Sequence, residues 1–159
     1  MQNHTKHGHS AATHVTHYRH LFVMLVLSAI AMYALMYGMV DRFANVYANL
    51  NQLYMVLAMV APMAIIEMLV MRSMYADRRL NTAIMIGSAI VLLASWVMLR
   101  QQTAIDDRQF LRSMIPHHAG AILMCREASL EDAELKQLCA SIIAGQQREI
   151  DQMSALLAR

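Results

Sequence analysis

The sequence predicts an all-α protein: three transmembrane helices followed by an antiparallel helical hairpin. Three observations carry this expectation. Three long runs contain no Asp, Glu, Lys, Arg or His. Only 5 glycines and 2 prolines punctuate 159 residues, too few for a turn-rich β architecture. Beyond residue 101 the chain turns charged, and its apolar residues recur at alternating threes and fours, the period of a helix.

Composition narrows the class further. Hydrophobic residues make up 58% and charged residues 15%, whereas a soluble domain usually carries about a quarter charged. Disorder and collagen-like structure are excluded. A net charge of +2 excludes a strongly basic nucleic-acid binder. The 2 cysteines are too few for a small disulfide scaffold. Methionine, at 16, is far above ordinary usage.

The elements follow in order. Residues 1–20 form a tail containing His4, His7, His9, His14, His17 and His20. His14, His17 and His20 are three apart and share a face if helical, which makes them a candidate site for Zn, Ni or Cu; a polar tail without metal is the alternative. Residues 21–40, 53–71 and 80–99 are the expected spans within a membrane region of residues 21–100. A helix rises 1.5 Å per residue, so ~20 residues cross the roughly 30 Å hydrocarbon core of a lipid bilayer. Tyr18, Phe43, Tyr54, Tyr75 and Trp96 lie near span ends, as an aromatic belt does. The first run is longer than a signal-peptide core, and two more spans follow it.

Orientation is read from Lys and Arg. The linker after the second span holds Arg72, Arg78 and Arg79, and the linker after the first holds only Arg42. This bias puts the N-terminus in the cytoplasm and residues 101–159 outside, with the spans in the cytoplasmic membrane. Ala83 and Gly87 offer a small-x3-small face for contact between spans or between copies of the chain.

Inside the membrane region, Met55, Met59, Met63 and Glu67 follow one another at steps of four. Thioethers so spaced can pass a soft Cu(I) ion along, and Glu67 is the one ionisable residue within a span. The competing reading is apolar packing by methionine and anchoring by Glu67 at the interface. Pro62 frees the carbonyl of Ala58 and leaves a polar notch above Glu67.

In residues 101–159, Phe110, Met114, Ala121 and Cys125 fall near helical spacing. Leu135, Cys139, Ile142, Gln146, Ile150, Met153 and Leu157 form a second seam. Ser129 or Asp132 can cap the second helix. The chemistry-bearing cluster is Met114, His117 and His118, followed by Met124 and Cys125. Met114 meets His117 and His118 one turn on, so thioether, imidazole and thiol gather on one side. Soft sulfur favours Cu(I), and imidazole suits several transition metals. Pro116 is positioned to kink the helix there. The competing reading is an exposed histidine pair beside a core seam.

The stretch F-L-R-S-M-I-P-H-H-A-G-A-I-L-M-C-R-E-A over residues 110–128 resembles the signature of the DUF305 family. The pattern I-x3-Q-x2-E-I-x2-M, at Ile142, Gln146, Glu149, Ile150 and Met153, resembles that family's second motif. The resemblance covers about residues 106–157. It implies a small ferritin-like helical module, often exported or membrane-anchored and linked in several members to copper binding or copper resistance. By that resemblance Met114, His117, His118 and Met124 are ligand candidates, and Gln146, Glu149 and Met153 match the second motif.

A turn centred near residues 130–131 places His118 opposite about residue 143, and Gln146 and Glu149 near the Met/His face. Glu149 then orients a metal-bound imidazole or ligates directly, or else makes only a structural hydrogen bond or a salt bridge to Arg112. Cys125 faces about residue 136, so Cys139 lies about 4.5 Å along the axis from its partner position. A disulfide, packed free thiols and metal ligation by Cys125 and Cys139 all stay open.

These residues point to a membrane-anchored metal-binding protein that holds copper, as Cu(I), for sequestration or for delivery to a protein partner. A small Cu(I) transporter built on the methionine stripes and a metal-free assembly subunit are the alternatives. No nucleotide fingerprint or hydrolytic triad is present, and adjacent Asp106 and Asp107 point about 100° apart on a helix, so no enzyme activity is expected.

Overall fold

The computed structural model describes residues 6–159, with side chains from residue 16 onward. The His14 side chain therefore lies outside the described residues. Five α-helices and no strand appear among the described residues: α1 (Lys6–Leu35), α2 (Leu50–Val70), α3 (Arg78–Gln101), α4 (Asp107–Glu127) and α5 (Ala133–Leu157). Two 3-10 turns, Met36–Met39 and Phe43–Asn45, follow α1. The chain divides into two compact units. One contains the chain up to Met32 and Tyr54–Gln101; the other contains Tyr33–Leu53 and Gln102–Arg159.

Residues 6–20 of the histidine-rich segment continue into the first apolar run as one helix, α1. Between Ser10 and Leu35 no glycine or proline interrupts the chain, so the helix runs through the boundary. Three segments, Thr16–Met39, Leu50–Val70 and Arg78–Gln101, are long and apolar enough to cross a membrane, with mean hydropathies of 2.1, 2.2 and 2.2. Their large side chains face outward. Phe22, Leu27, Ile90 and Leu93 are each 60% exposed or more, a surface that water would reject and a bilayer accepts. The second segment begins at Leu50, three residues before the apolar run suggested, because Gln109 accepts a hydrogen bond from the Leu50 N–H at 3.1 Å. That bond satisfies one of the first-turn donors a helix start leaves open.

Packing in the first unit concentrates around Leu21, Met68 and Tyr75, with Met71, Met74 and Met85 against them. Here methionine is the flexible filler of an irregular contact. Polar groups close this end. The Tyr18 hydroxyl donates to Asn81 Oδ1 at 2.7 Å, and Asn81 Nδ2 donates to the Tyr75 carbonyl at 2.9 Å. Asp77 caps α3, accepting from the N–H groups of Arg79 at 2.9 Å and Leu80 at 3.1 Å. The Tyr75 hydroxyl donates to Glu67 Oε1 at 3.3 Å. Burial first, and then the Glu67 carboxylate, push the Tyr75 phenol above its ordinary pKa, so it remains a donor.

In the second unit α4 and α5 pack along each other. Ile115, Ala119 and Ile122 are fully buried with Ile150, and Val40, Tyr47, Ile143, Met153 and Leu157 pack around them. The buried stripe of α4 is therefore Ile115–Ala119–Ile122, not the Phe110–Met114–Ala121–Cys125 series; Phe110 is 49% exposed. The reason is that α4 has two partners, α5 and the segment after α1, which together cover a broader face. Gly120 lets that segment approach: a Cβ there would stand 3.4 Å from the Met39 carbonyl oxygen. Both helices have side-chain caps. Asp106 accepts from the Gln109 N–H at 2.7 Å, and Asp132 accepts from the Leu135 N–H at 2.9 Å, which settles the choice between Ser129 and Asp132.

Cys125 and Cys139 form a disulfide with Cα atoms 5.2 Å apart. The expected partner position of Cys125, residue 136, is off by three residues. The connection between Glu127 and Ala133 is extended at Ala128 and Asp132, which advances α5 by nearly a turn relative to a tight reversal. Closing a loop of sequence separation 14 restricts the unfolded chain by about 3 kcal/mol.

Two outcomes are expected. Ile115→Ala should lower stability by about 2–5 kcal/mol, because a fully buried side chain leaves a cavity; denaturant unfolding in detergent measures it. The purified protein, unfolded without reductant, should show no thiol titre and should gain two hydrogens in intact mass on reduction.

Candidate metal centre

The buried stripe of α4 sets what its other side presents. Successive residues turn 100°, so the face opposite Ile115 and Ala119 carries Phe110, His117 and Met124, each seven apart. All three are exposed, Met124 at 55%. Met114 is half-buried one turn before His117. The helix continues through Pro116, which removes one N–H and frees the Arg112 carbonyl.

The two histidines have separate fates. His117 and His118 rings lie 6.1 Å apart with planes at 64°. His117 is exposed and makes no hydrogen bond among the described residues. His118 is 8% exposed and held at both ring nitrogens. Nδ1 lies 2.8 Å from the Met114 carbonyl oxygen, and Nε2 lies 2.7 Å from Glu149 Oε2. A carbonyl only accepts, so Nδ1 carries a proton; an ionised carboxylate also only accepts, so Nε2 donates when the ring carries both protons. With both protons on the ring His118 has no free lone pair, and with one proton its Nε2 faces Glu149. A metal can take Nε2 only by displacing Glu149.

The remaining candidates fall into place around this bond. Glu149 is hydrogen-bonded to the His118 imidazole. Arg112 is not its partner, and the Arg112 Nε is buried without a hydrogen bond among the described residues. Met153 packs against the α4–α5 core, and Gln146 is half-buried. Cys125 and Cys139 are engaged with each other. No group of three or more His, Cys, Asp or Glu side chains is gathered around one point among the described residues. Met114 and His117 are one turn apart, about 4.5 Å along the axis, whereas Met124 is two turns, about 10.5 Å, beyond His117. Met114 and His117 are therefore the pair able to chelate a single ion, with Met124 a separate soft donor on the same face.

In the first unit, Met55 and Met59 are 37% and 49% exposed on α2 and Met63 is half-buried, whereas Tyr54 and Val56 beside them are buried. Glu67 is tied to Tyr75. His17 is half-buried and His20 exposed on α1.

A buried carboxylate escaped the sequence reading. The Asp41 side chain is 1% exposed, accepts from Asn45 Nδ2 at 2.7 Å, and pairs with Arg42 at 3.0 Å and Arg126 at 3.4 Å. It ties the segment after α1 to the C-terminal part of α4. Its only sequence signal was a lone Asp-Arg pair in an apolar region.

Residues 93–157 match the model of a domain of unknown function, DUF305. An uncharacterized protein of Acanthamoeba polyphaga mimivirus is 33% identical over 140 residues, 86% of this chain and 90% of its own length. This chain belongs to the DUF305 family. The DUF305 match begins at Leu93, inside α3, rather than near residue 106 where the motifs begin. Similarity to the viral relative extends well beyond the DUF305 region, because 140 aligned residues must include part of the three apolar helices. No solved structure matches the chain.

If His118 positions α4 on α5, removing its partner should cost stability. Glu149→Leu should destabilise by about 1 kcal/mol, the low end for a charged hydrogen bond because the carboxylate is more than half exposed. Glu149→Gln keeps an acceptor and should cost less. Equal unfolding midpoints for parent and Glu149→Leu would show the bond to be idle.

Proposed function

We propose that this chain is a membrane-anchored copper-binding protein that carries Cu(I) on the outer face of α4 and passes it to a protein partner. The observation that carries the reading is His117: an exposed imidazole without a partner, one turn from the Met114 thioether, on a helix whose opposite side is buried in the α4–α5 core. One imidazole and one thioether suit a soft monovalent ion. Two donors on an open helix face make an exchangeable site rather than a storage cage, so delivery fits better than sequestration. Met124 serves as a second contact for an arriving or leaving ion. His118 keeps its positioning bond and joins the ligand set only when Glu149 lets go.

The three apolar helices serve as the anchor in the cytoplasmic membrane, and α4 and α5 form the antiparallel ferritin-like hairpin on its outer side. Two features support that placement. The short linkers carry three Arg against one, with the richer linker inside. The Cys125–Cys139 disulfide fits a compartment where thiols are not kept reduced. The tail site of His14, His17 and His20 then lies on the opposite side of the membrane and cannot share an ion with His117.

Titration of the detergent-purified protein with Cu(I), against a chromophoric Cu(I) chelator, tests the proposal. His117→Ala and Met114→Leu should each weaken binding at least tenfold, and Met124→Leu by less. A His117→Ala/Met114→Leu variant that binds like the parent would remove this site.

A further inference from the structure

The α4–α5 unit carries a second pair of soft donors, which the site above does not use. A cleft of about 240 Å³ opens directly over the Cys125–Cys139 disulfide. Both cysteines are half-buried and line this cleft rather than the sealed core. Apart from them, its walls are Ala128, Leu130, Ala140 and Ile143, with Lys136 as the one charged group. A cross-link whose role was only to hold two helices would gain from being packed over. This one faces an open space with a cation at its rim.

We infer that this disulfide is a redox gate over a two-thiolate site for a monovalent soft metal ion, an inference that rests on the soft-metal reading of the protein. The gate opens by exchange with a dithiol, such as an oxidoreductase of the same compartment. One thiolate of the donor attacks a cysteine sulfur and breaks the Cys125–Cys139 bond; its second thiol then resolves the mixed disulfide. The donor loses two electrons and two protons and ends as a disulfide, and Cys125 and Cys139 end as two thiols. Binding of Cu(I) releases both thiol protons and leaves a metal with two thiolates.

The geometry after reduction suits this. Helix packing does not depend on the cross-link alone, because Ile115, Ala119, Ile122 and Ile150 are buried together and His118 bonds Glu149. The Cα atoms therefore stay near their 5.2 Å spacing. Metal–thiolate bonds of about 2.3 Å need sulfurs at most about 4.6 Å apart, which small side-chain rotations from a bonded pair provide. The donor count selects the ion. The remaining walls offer no third or fourth ligand, and His117 is eight residues, about 12 Å, from Cys125 along α4. Zn²⁺ takes four ligands in structural sites, so a site with only two thiolates suits the soft monovalent Cu(I) ion instead. A Cu(I) ion with two thiolates has a net charge of −1, which Lys136 at the rim offsets. Reduction thus creates the thiolate pair under the conditions that keep copper monovalent.

The test uses the full chain in detergent without air. Protein is compared as purified and after reduction by a phosphine that is then removed, each titrated with Cu(I) against a competing chelator and, separately, with Zn²⁺. The reduced parent should bind one more Cu(I) than the oxidised parent, at least tenfold more tightly, and should gain no Zn²⁺. Cys125→Ser/Cys139→Ser should lose the gain, and Lys136→Glu should weaken it. His117→Ala, which leaves the His118–Glu149 bond in place, should keep it. If the oxidised parent binds no Cu(I) and reduction still adds one equivalent, the His117 reading fails and this one stands. Equal Cu(I) binding before and after reduction, an equal gain of Zn²⁺, or loss of helical circular dichroism on reduction would each overturn it.

Discussion

The bond between His118 and Glu149, backed by the buried stripe of α4, is the interaction on which the arrangement of candidate ligands depends. It uses both nitrogens of a mostly buried ring, one on the Met114 carbonyl of its own helix and one on α5. Once His118 is committed inward, the helical period turns His117 outward, because neighbours on a helix point about 100° apart. The same rotation puts Met124 on the exposed side and Ile115, Ala119 and Ile122 on the inside. A histidine pair adjacent in sequence is thus divided into a structural member and an available one.

The seam between α4 and α5 is held at two levels with different chemistry. Near the connection it is covalent, through Cys125 and Cys139, and about two turns further along it is a hydrogen bond between His118 and Glu149. Between and around them lies an apolar core that needs neither. This division matters for any metal chemistry in the unit. The hydrogen bond engages an imidazole nitrogen and the disulfide engages both sulfurs, so neither set of atoms is open while its contact stands. The oxidised structure accordingly leaves Met114, His117 and Met124 as its open soft donors on α4.

Methionine abundance has separate causes in the two units. In the first, Met68, Met71, Met74 and Met85 fill the contact around Tyr75, and Met55 and Met59 face outward from a helix apolar enough to cross a membrane. Both positions suit a flexible apolar side chain. In the second, Met153 is core, and only Met114 and Met124 stand beside groups with ligand chemistry.

The helical class, the three apolar segments, the family and the residues worth testing are all legible in the order of the amino acids. Each of these depends on local properties: charge-free length, a 3.6-residue period, a cap such as Asp132, a motif read in order. Helix ends were less legible, since the Leu50 start depends on Gln109, 59 residues away in the chain. Which donors are free depends on contacts between distant segments. The disulfide needed the true register of α5, which an extended connection shifts by three residues from the tight-turn expectation. The roles of His117 and His118 needed the position of Glu149, 31 residues on from His118. Asp41 became a buried junction only when Arg126, 85 residues later, came to meet it. Residue type and spacing specify what a side chain can bind, but hydrogen bonds between distant segments decide whether its lone pair is still available.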